Sequence, residues 1–330
     1  MNKRLGKFPR IAILAFCIFV LSCLLGRNHF LLGTALIAGR WLYMVFGICF
    51  IYMVFKRDTP KYLKWFLISI MALLLMEFSW NRLNEQSLDS LENENSTTLT
   101  IMTYNLFFKN GAPNSSIKNI QEVNPDILVI QEVTPTWEKD LDQTIGVQYP
   151  YKMTLALKGT HGIGVYSKYP LKSNQYLPAG SKYPFAQMLE IEVNSKRIQL
   201  VSVHLASPAA AVEQPDKFLR LISKSYVERE KQIREINALM EYDSFDAQIF
   251  IGDLNTTQYE PLYRKLTNDW VDLFEEVGVG SKRNFPNTSK MKPVLTLDYI
   301  FIRGKAKAIE SNVIQGGSSD HLALSGKFEI

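Results

Sequence analysis

The stretch Ile249-Phe250-Ile251-Gly252-Asp253-Leu254-Asn255 predicts a buried strand that ends in a polar turn. Its apolar residues stop at a glycine, and an acid and an amide then stand two positions apart. Asp and Asn are also common in turns for backbone reasons, so this stretch alone is equally consistent with an ordinary turn. Its recurrence elsewhere in the chain favours a functional interpretation.

Four further apolar runs end on, or just before, a side chain able to perform metal or phosphate chemistry, and an Asp–His pair follows near the C-terminus. Carboxylates, amides and histidines without cysteine suit a hard cation such as Mg²⁺, with Mn²⁺ as a possible substitute. They suit zinc poorly, because the histidines of this region lack short ligand spacing. The residues concerned are Asn105, Glu132, His204, Asp298, Asp320 and His321.

These segments resemble the endonuclease/exonuclease/phosphatase family. Its members include deoxyribonuclease I, exonuclease III-type abasic-site endonucleases, neutral sphingomyelinases and inositol-polyphosphate 5-phosphatases. The resemblance covers about Leu99 to Ile330 and rests on six motifs in the family's order. It implies an α/β fold, the family's four-layered α/β/β/α sandwich of two packed mixed β-sheets flanked by helices. The pattern of many strands with few helices independently favours two sheets packed face to face.

The resemblance also implies roles for the metal-binding side chains. Glu132 resembles the principal metal-ligating carboxylate, with Asn105 in or near the first coordination sphere, and Asp320 would join the metal or water network. Asp253 would orient or deprotonate the attacking water, or occupy a second metal position. Asn255 would hold a phosphoryl oxygen.

The histidines carry the remaining implied roles. His321 would contact the phosphate as base or electrostatic stabiliser, with Asp298 fixing its tautomer. His204 matches the histidine that deoxyribonuclease I and the sphingomyelinases place across the scissile phosphate, where it serves as general acid or transition-state donor. Abasic-site endonucleases usually carry a tyrosine in that region, so His204 favours general phosphodiester or lipid-headgroup hydrolysis over DNA repair. His161 matches no motif and is interpreted as a surface or loop-packing residue.

A basic loop, residues 280–293, is the one candidate substrate contact outside the strand ends. It contains Lys282, Arg283, Lys290 and Lys292. Such a run is more often a solvated face than a binding site. We nevertheless predict that this loop meets phosphate groups of substrate or membrane, with Lys282 and Arg283 as the substrate contacts.

Charge is distributed unevenly along the chain. Residues 1–96 hold 11 of the 37 Lys and Arg and 6 of the 32 Asp and Glu, so the remaining 26 of each leave residues 97–330 neutral. The basic N-terminal third is therefore no argument for a nucleic-acid partner. All three cysteines also lie in that third, so the rest of the chain is compatible with a reducing or an oxidising compartment.

Residues 1–80 predict a membrane region with about three transmembrane helices, near 9–26, 34–56 and 62–80, followed by a polar linker over 81–96. Two spans with an interfacial helix, or a cleaved signal peptide in place of the first span, are the alternatives. Basic residues precede the first span and cluster between the second and third. The positive-inside rule then places the N-terminus in the cytoplasm and the catalytic domain, residues 97–330, outside it.

Together these features predict a multi-pass cell-membrane protein with a Mg²⁺-dependent phosphodiesterase domain. A nuclease-type hydrolase is the leading interpretation. A phospholipid or sphingomyelin headgroup phosphodiesterase or phosphatase is the alternative, and a catalytically inactive binding protein on the same fold is a second one. The predicted partners are a phosphodiester substrate, either nucleic acid or lipid headgroup, and the bilayer; no protein partner can be inferred.

Overall fold

The computed structural model describes residues 97–241 and 244–330. The predicted membrane region and linker, residues 1–96, lie outside the described residues. Within the described part, no helix combines the length and apolar character needed to span a bilayer. What the structure does describe is a mixed α/β fold of two six-stranded sheets.

The first sheet has the strand order β11-β12-β1-β2-β4-β3. β1 pairs in parallel with β2, and the other neighbours are antiparallel. Its strands are β1 (Thr98–Asn105), β2 (Ile127–Gln131), β3 (Tyr151–Leu155), β4 (Ile163–Ser167), β11 (Lys307–Ile314) and β12 (Ala323–Glu329).

The second sheet has the order β5-β6-β7-β8-β10-β9. β7 pairs in parallel with β8, and the remaining pairs are antiparallel. Its strands are β5 (Leu171–Leu177), β6 (Ala186–Val193), β7 (Lys196–His204), β8 (Ala247–Asp253), β9 (Val271–Asp272) and β10 (Asp298–Gly304). The two mixed sheets of the predicted architecture are therefore present.

Helices flank the sheets. They are α1 (Pro113–Val123), α2 (Pro135–Thr144), α3 (Ala209–Glu213), α4 (Phe218–Asn237), α5 (Pro261–Thr267) and α6 (Leu273–Val277). α1 and α2 pack on the outer face of the first sheet, where Ile120 and Trp137 join one buried cluster with Met102 and Ile130. α4 is the longest helix among the described residues, with 20 residues.

The main core lies between the two sheets. The surroundings of β8 explain why residues 249–251 are all apolar. Ile249 and Ile251 point into the inter-sheet cluster, together with Ile101 of β1 and Val129 of β2. Phe250 points the other way and packs near Trp270, with ring centroids 5.8 Å apart. β8 is thus buried on both faces, which requires a continuous apolar run rather than an alternating one.

Candidate active site

The polar strand ends converge because the parallel pairs align them. Asn105 ends β1 opposite Gln131, so Glu132 follows immediately at the same edge of the first sheet. His204 ends β7 directly opposite Asp253, the last residue of β8. Asp298 begins the antiparallel strand β10, also opposite Asp253. Each sheet therefore supplies part of one polar cluster.

Unusual backbone conformations orient these side chains. Glu132 and Asn255 have positive φ values of 57° and 48°, a region that costs energy for residues other than glycine. Gly252 has φ +136°, and a Cβ there would lie 2.1 Å from the carbonyl oxygen of Val203. Only glycine allows β8 to approach β7 so closely just before Asp253.

Asp253 is the centre of the cluster and is 1% exposed. Its Oδ1 accepts a 2.8 Å hydrogen bond from the backbone N–H of Asn255. Its Oδ2 accepts a 3.1 Å hydrogen bond from Asn105 Nδ2. The same Oδ2 lies 3.6 Å from His204 Nε2 and 3.8 Å from His321 Nε2. One carboxylate thus faces both imidazoles.

Glu132 lies on the opposite side of Asn105. Its Oε1 accepts a 3.3 Å hydrogen bond from Asn105 Nδ2, and its Oε2 accepts one of 3.0 Å from the backbone N–H of Phe108. Asn105 Oδ1 accepts from the backbone N–H of Phe107 at 3.0 Å. The Asn105 amide therefore bridges the carboxylates of Glu132 and Asp253.

His321 is held by a buried acid. Its Nδ1 donates a 2.7 Å hydrogen bond to Asp298 Oδ2, the contact that the resemblance implies. Burial alone would lower the pKa of His321, but the charges of Asp298 and Asp253 raise it to about 10. Burial raises the pKa of Asp298. In the metal-free protein the His321 side chain is therefore an imidazolium at neutral pH, with Nε2 directed towards Asp253.

His204 is oriented by a loop of the first sheet. Its Nδ1 donates a 3.0 Å hydrogen bond to the carbonyl oxygen of Thr160. This contact assigns the proton to Nδ1 and leaves Nε2 to face the cluster. Nε2 lies 4.0 Å from Glu132 Oε1, so the histidine borders both halves of the site.

Asn255 and Asp320 complete the predicted set. Asn255 Nδ2 donates 3.0 Å to the carbonyl oxygen of Leu205, which leaves its second amide hydrogen for another acceptor. Burial raises the pKa of the half-buried Asp320, and the charges of Glu132 and Asp253 raise it further although His321 opposes them. Asp320 therefore belongs to the same cluster of acids.

The donor set fits a hard divalent cation. Four carboxylates and an amide oxygen share a largely buried site, and like charges this close favour a bound cation. Within the described residues, Asp253, Asp298 and His321 offer ligand atoms that all lie within 4.8 Å of one another. A hard cation prefers oxygen ligands, so the carboxylates are favoured over the imidazole of His321. Glu132 is foremost among them. Asn105 directs its Nδ2 at the two acids while its Oδ1 accepts from Phe107, so its predicted contact with the metal stays a prediction.

The side chain of Lys282 is engaged by other residues of the protein. Its Nζ lies 3.5 Å from Asp272 Oδ2, is ion-paired with Glu275 and sits over the ring of Tyr299. The ammonium is thus enclosed between α6 and β10, where these contacts stabilise the fold, and its contact with phosphate stays a prediction. Arg283 is half-buried beside it, and its backbone N–H contacts Ser281 Oγ at 3.5 Å. Its contact with substrate stays a prediction.

Sequence reasoning missed the residues that hold the site in place. Ser319 Oγ donates 2.6 Å to the carbonyl oxygen of Asn105 and accepts 3.0 Å from the backbone N–H of His321. Asn287 donates from its backbone N–H to Asp320 O (2.6 Å) and from Nδ2 to Ser319 O (2.9 Å). The ring centroid of Phe285 lies 4.7 Å from that of His321. Only Ser319, next to the Asp320–His321 pair, carried a signal in the sequence.

Comparison with known proteins agrees with this fold. The structure resembles an endonuclease/exonuclease/phosphatase from Beutenbergia cavernae (TM-score 0.52, 16% identity, covering 71% of this chain and 72% of that one). It also resembles D. rerio TDP2 complexed with a single-strand DNA product (TM-score 0.52, 17% identity, 70% and 99% covered). A family protein from Leptotrichia buccalis is similar as well (TM-score 0.51, 19% identity, 70% and 100% covered). At these identities the similarity concerns the fold alone.

A sequence comparison establishes the family. No curated protein matched the chain. The sequence model of the endonuclease/exonuclease/phosphatase family, however, matches residues 102–321, well over half of the chain. The matched segment contains every strand-end residue of the cluster, from Asn105 to His321. The chain therefore belongs to the endonuclease/exonuclease/phosphatase family, whose members are phosphoric ester hydrolases.

Proposed function

We propose that this protein is a membrane-anchored, Mg²⁺-dependent phosphodiesterase of the nuclease type. The observation that carries the proposal is the position of Asp253, whose Oδ2 lies 3.6 Å from His204 Nε2 and 3.8 Å from His321 Nε2. A carboxylate between two imidazoles, with further acids beside it, provides the groups that phosphodiester hydrolysis requires. These are a base for water, positive charge for the phosphoryl oxygens and an acid for the leaving alkoxide.

Each group has a role consistent with its hydrogen bonds. Asp253 accepts the proton of the attacking water while Asn255 and Asn105 hold the carboxylate in place. The His321 imidazolium, held by Asp298, donates to a phosphoryl oxygen. His204 acts in its doubly protonated form: Nδ1 keeps its proton in the bond to Thr160, and the proton on Nε2 passes to the departing oxygen. A divalent cation held by Glu132, Asn105 and Asp320 would neutralise charge on a non-bridging oxygen.

Nucleic acid is the substrate we favour. The structure of D. rerio TDP2, which shares the fold, holds a single-strand DNA product. His204 also supports this choice, since by the resemblance it matches the histidine of enzymes that cleave general phosphodiesters.

A lipid headgroup is the second candidate, and one surface loop favours it. Met291 is 52% exposed between the exposed Lys290 and Lys292. Asn287, at the base of the same loop, is hydrogen-bonded to Asp320. An exposed apolar side chain between lysines suits the interface of an anionic bilayer.

The experiment uses the full-length chain in detergent, supercoiled plasmid and Mg²⁺, with excess EDTA and the variant Asp253→Asn as controls. Nicking that requires both metal and Asp253 would support the nuclease. Cleavage of a simple aryl phosphodiester, with both the plasmid and a single-stranded oligonucleotide left intact, would transfer support to the lipid headgroup. Absence of metal-dependent hydrolysis of any diester would overturn the proposal and favour an inactive binding protein.

A further inference from the structure

Two loops from different sheets meet beside His204. The loop 156–162 joins β3 to β4 in the first sheet, and the loop 178–185 joins β5 to β6 in the second. Their tips bring the rings of His161 and Tyr183 together, with centroids 4.9 Å apart and planes tilted by 44°. Tyr183 is 59% exposed, so this ring pair has an open face.

Both loops are bonded to His204 through neighbours of these rings. Thr160, next to His161, accepts the hydrogen bond of His204 Nδ1. Phe185, two residues after Tyr183, accepts a 2.9 Å hydrogen bond from the backbone N–H of His204. The ring pair therefore lies next to His204, the proposed acid for the departing oxygen.

The backbone under the rings is well held. Val133, next to Glu132, exchanges hydrogen bonds with the first loop, donating to Gly162 O (3.2 Å) and accepting from the N–H of Leu157 (3.0 Å). In the second loop, the N–H of Tyr183 donates 3.1 Å to Ser181 Oγ. Rings on an ordered backbone lose little entropy when a ligand binds.

The charges of the two loops indicate the class of ligand that would bind there. Lys158 and Lys182 are exposed, one on each loop, and the sequences Ala-Leu-Lys-Gly-Thr-His-Gly and Pro-Ala-Gly-Ser-Lys-Tyr-Pro-Phe contain no acid. Aromatic side chains with adjacent cations bind single-stranded nucleic acid, since bases stack on the rings and phosphates face the cations. A quaternary ammonium headgroup would also contact a ring, but the lysines would repel it.

We propose that His161 and Tyr183 form a stacking platform for a nucleobase next to the scissile phosphate, with Lys158 and Lys182 facing adjacent phosphates. This inference rests on the proposed nuclease function and names its substrate class as single-stranded nucleic acid. It gives His161, which matches no catalytic motif, a role in substrate binding.

The test measures binding separately from catalysis. Fluorescence anisotropy of the full-length chain in EDTA compares a short single-stranded oligonucleotide with the same oligonucleotide carrying abasic sites. We expect wild type to bind the base-bearing strand about 10-fold more tightly, from the usual strength of base–aromatic stacking. Tyr183→Ala and His161→Ala should reduce this preference, and Tyr183→Phe should keep it. Tyr151→Ala, at an exposed tyrosine at the other end of β3, is the matched control.

Cleavage in Mg²⁺ supplies the second readout. Tyr183→Ala should raise KM for the base-bearing strand by about 10-fold with little change in kcat, and should leave the abasic strand unaffected. Equal affinity of wild type for the two strands would overturn the platform, as would equal effects of Tyr183→Ala on both. Either result would leave the proposal of metal-dependent hydrolysis unaffected. Base-dependent binding without any cleavage would support the platform and refute the proposed hydrolysis instead.

Discussion

Asn105, at the end of a strand in the first sheet, donates a 3.1 Å hydrogen bond from Nδ2 to Oδ2 of Asp253, at the end of a strand in the second. The same amide contacts Glu132 Oε1 at 3.3 Å. The packing of the two sheets therefore determines the distance between the acid expected to bind metal and the acid expected to act on water.

Replacing Asn105 should uncouple these acids. In Asn105→Ala both carboxylates lose a donor inside a buried site, which should cost about 1–3 kcal/mol of unfolding free energy. We expect kcat for plasmid nicking to fall by roughly 100-fold, because Asp253 is no longer held. Urea unfolding and initial-rate kinetics measure the two effects. An unchanged kcat would show that the bridge is not needed for catalysis.

The Asp298–His321 pair can be tested by histidine titration. Because Asp298 and Asp253 raise the pKa of His321 to about 10, its imidazole should stay protonated through the neutral range in metal-free protein. Asp298→Asn removes the carboxylate charge that stabilises the imidazolium, so the pKa should fall. NMR of the ring protons follows the titration. A wild-type His321 that titrates near its ordinary pKa of about 6.5 would contradict this assignment.

Gly252 should tolerate no side chain. In Gly252→Ala the Cβ would lie 2.1 Å from Val203 O in a backbone with φ +136°, so β7 and β8 must separate. We expect a loss of at least about 3 kcal/mol of unfolding free energy. Gly159→Ala is the matched control, since φ there is +86° but nothing lies within 4 Å. That variant should lose only about 1 kcal/mol. Similar losses in urea unfolding would refute the steric argument.

Lys282 should contribute to stability and not to substrate affinity. Lys282→Met removes the ion pairs with Glu275 and the buried Asp272, so unfolding free energy should fall by about 1–3 kcal/mol. KM for plasmid should stay at the wild-type value. Arg283→Gln is the companion variant and should raise KM if the predicted phosphate contact exists. A higher KM with unchanged stability in Lys282→Met would restore its predicted role as a substrate contact.

The predicted topology has its own test. Three spans with the N-terminus in the cytoplasm place residues 97–330 outside it. Protease added to right-side-out vesicles should therefore digest the catalytic domain while a cytoplasmic marker protein stays intact. Digestion only after detergent treatment would refute the orientation.

The central strands could be predicted from the sequence, and the edge strands could not. The central strands bury apolar residues against a neighbouring layer, and this burial requires the apolar runs by which they were recognised. These strands are β1, β2, β7, β8 and β10. The four strands β3, β5, β9 and β11 contain no such apolar run, and they are the outermost strands of the two sheets. β5, for example, is exposed through residues 172–175, and an edge strand with little buried surface has no need of apolar alternation.

The polar cluster, too, was predictable from the sequence only in part. The sequence by itself determined which polar residues stand at the ends of apolar runs, because such runs can be recognised from residue type alone. Only the tertiary structure decided their contacts. Asn105 and Asp253 are 148 residues apart in the sequence. The loop that contains Thr160 contacts His204 because the two sheets pack against each other. Lys282 contacts Asp272, the residue that caps the N-terminus of α6. Such contacts depend on register and sheet packing, in which distant segments meet, and no local pattern records them.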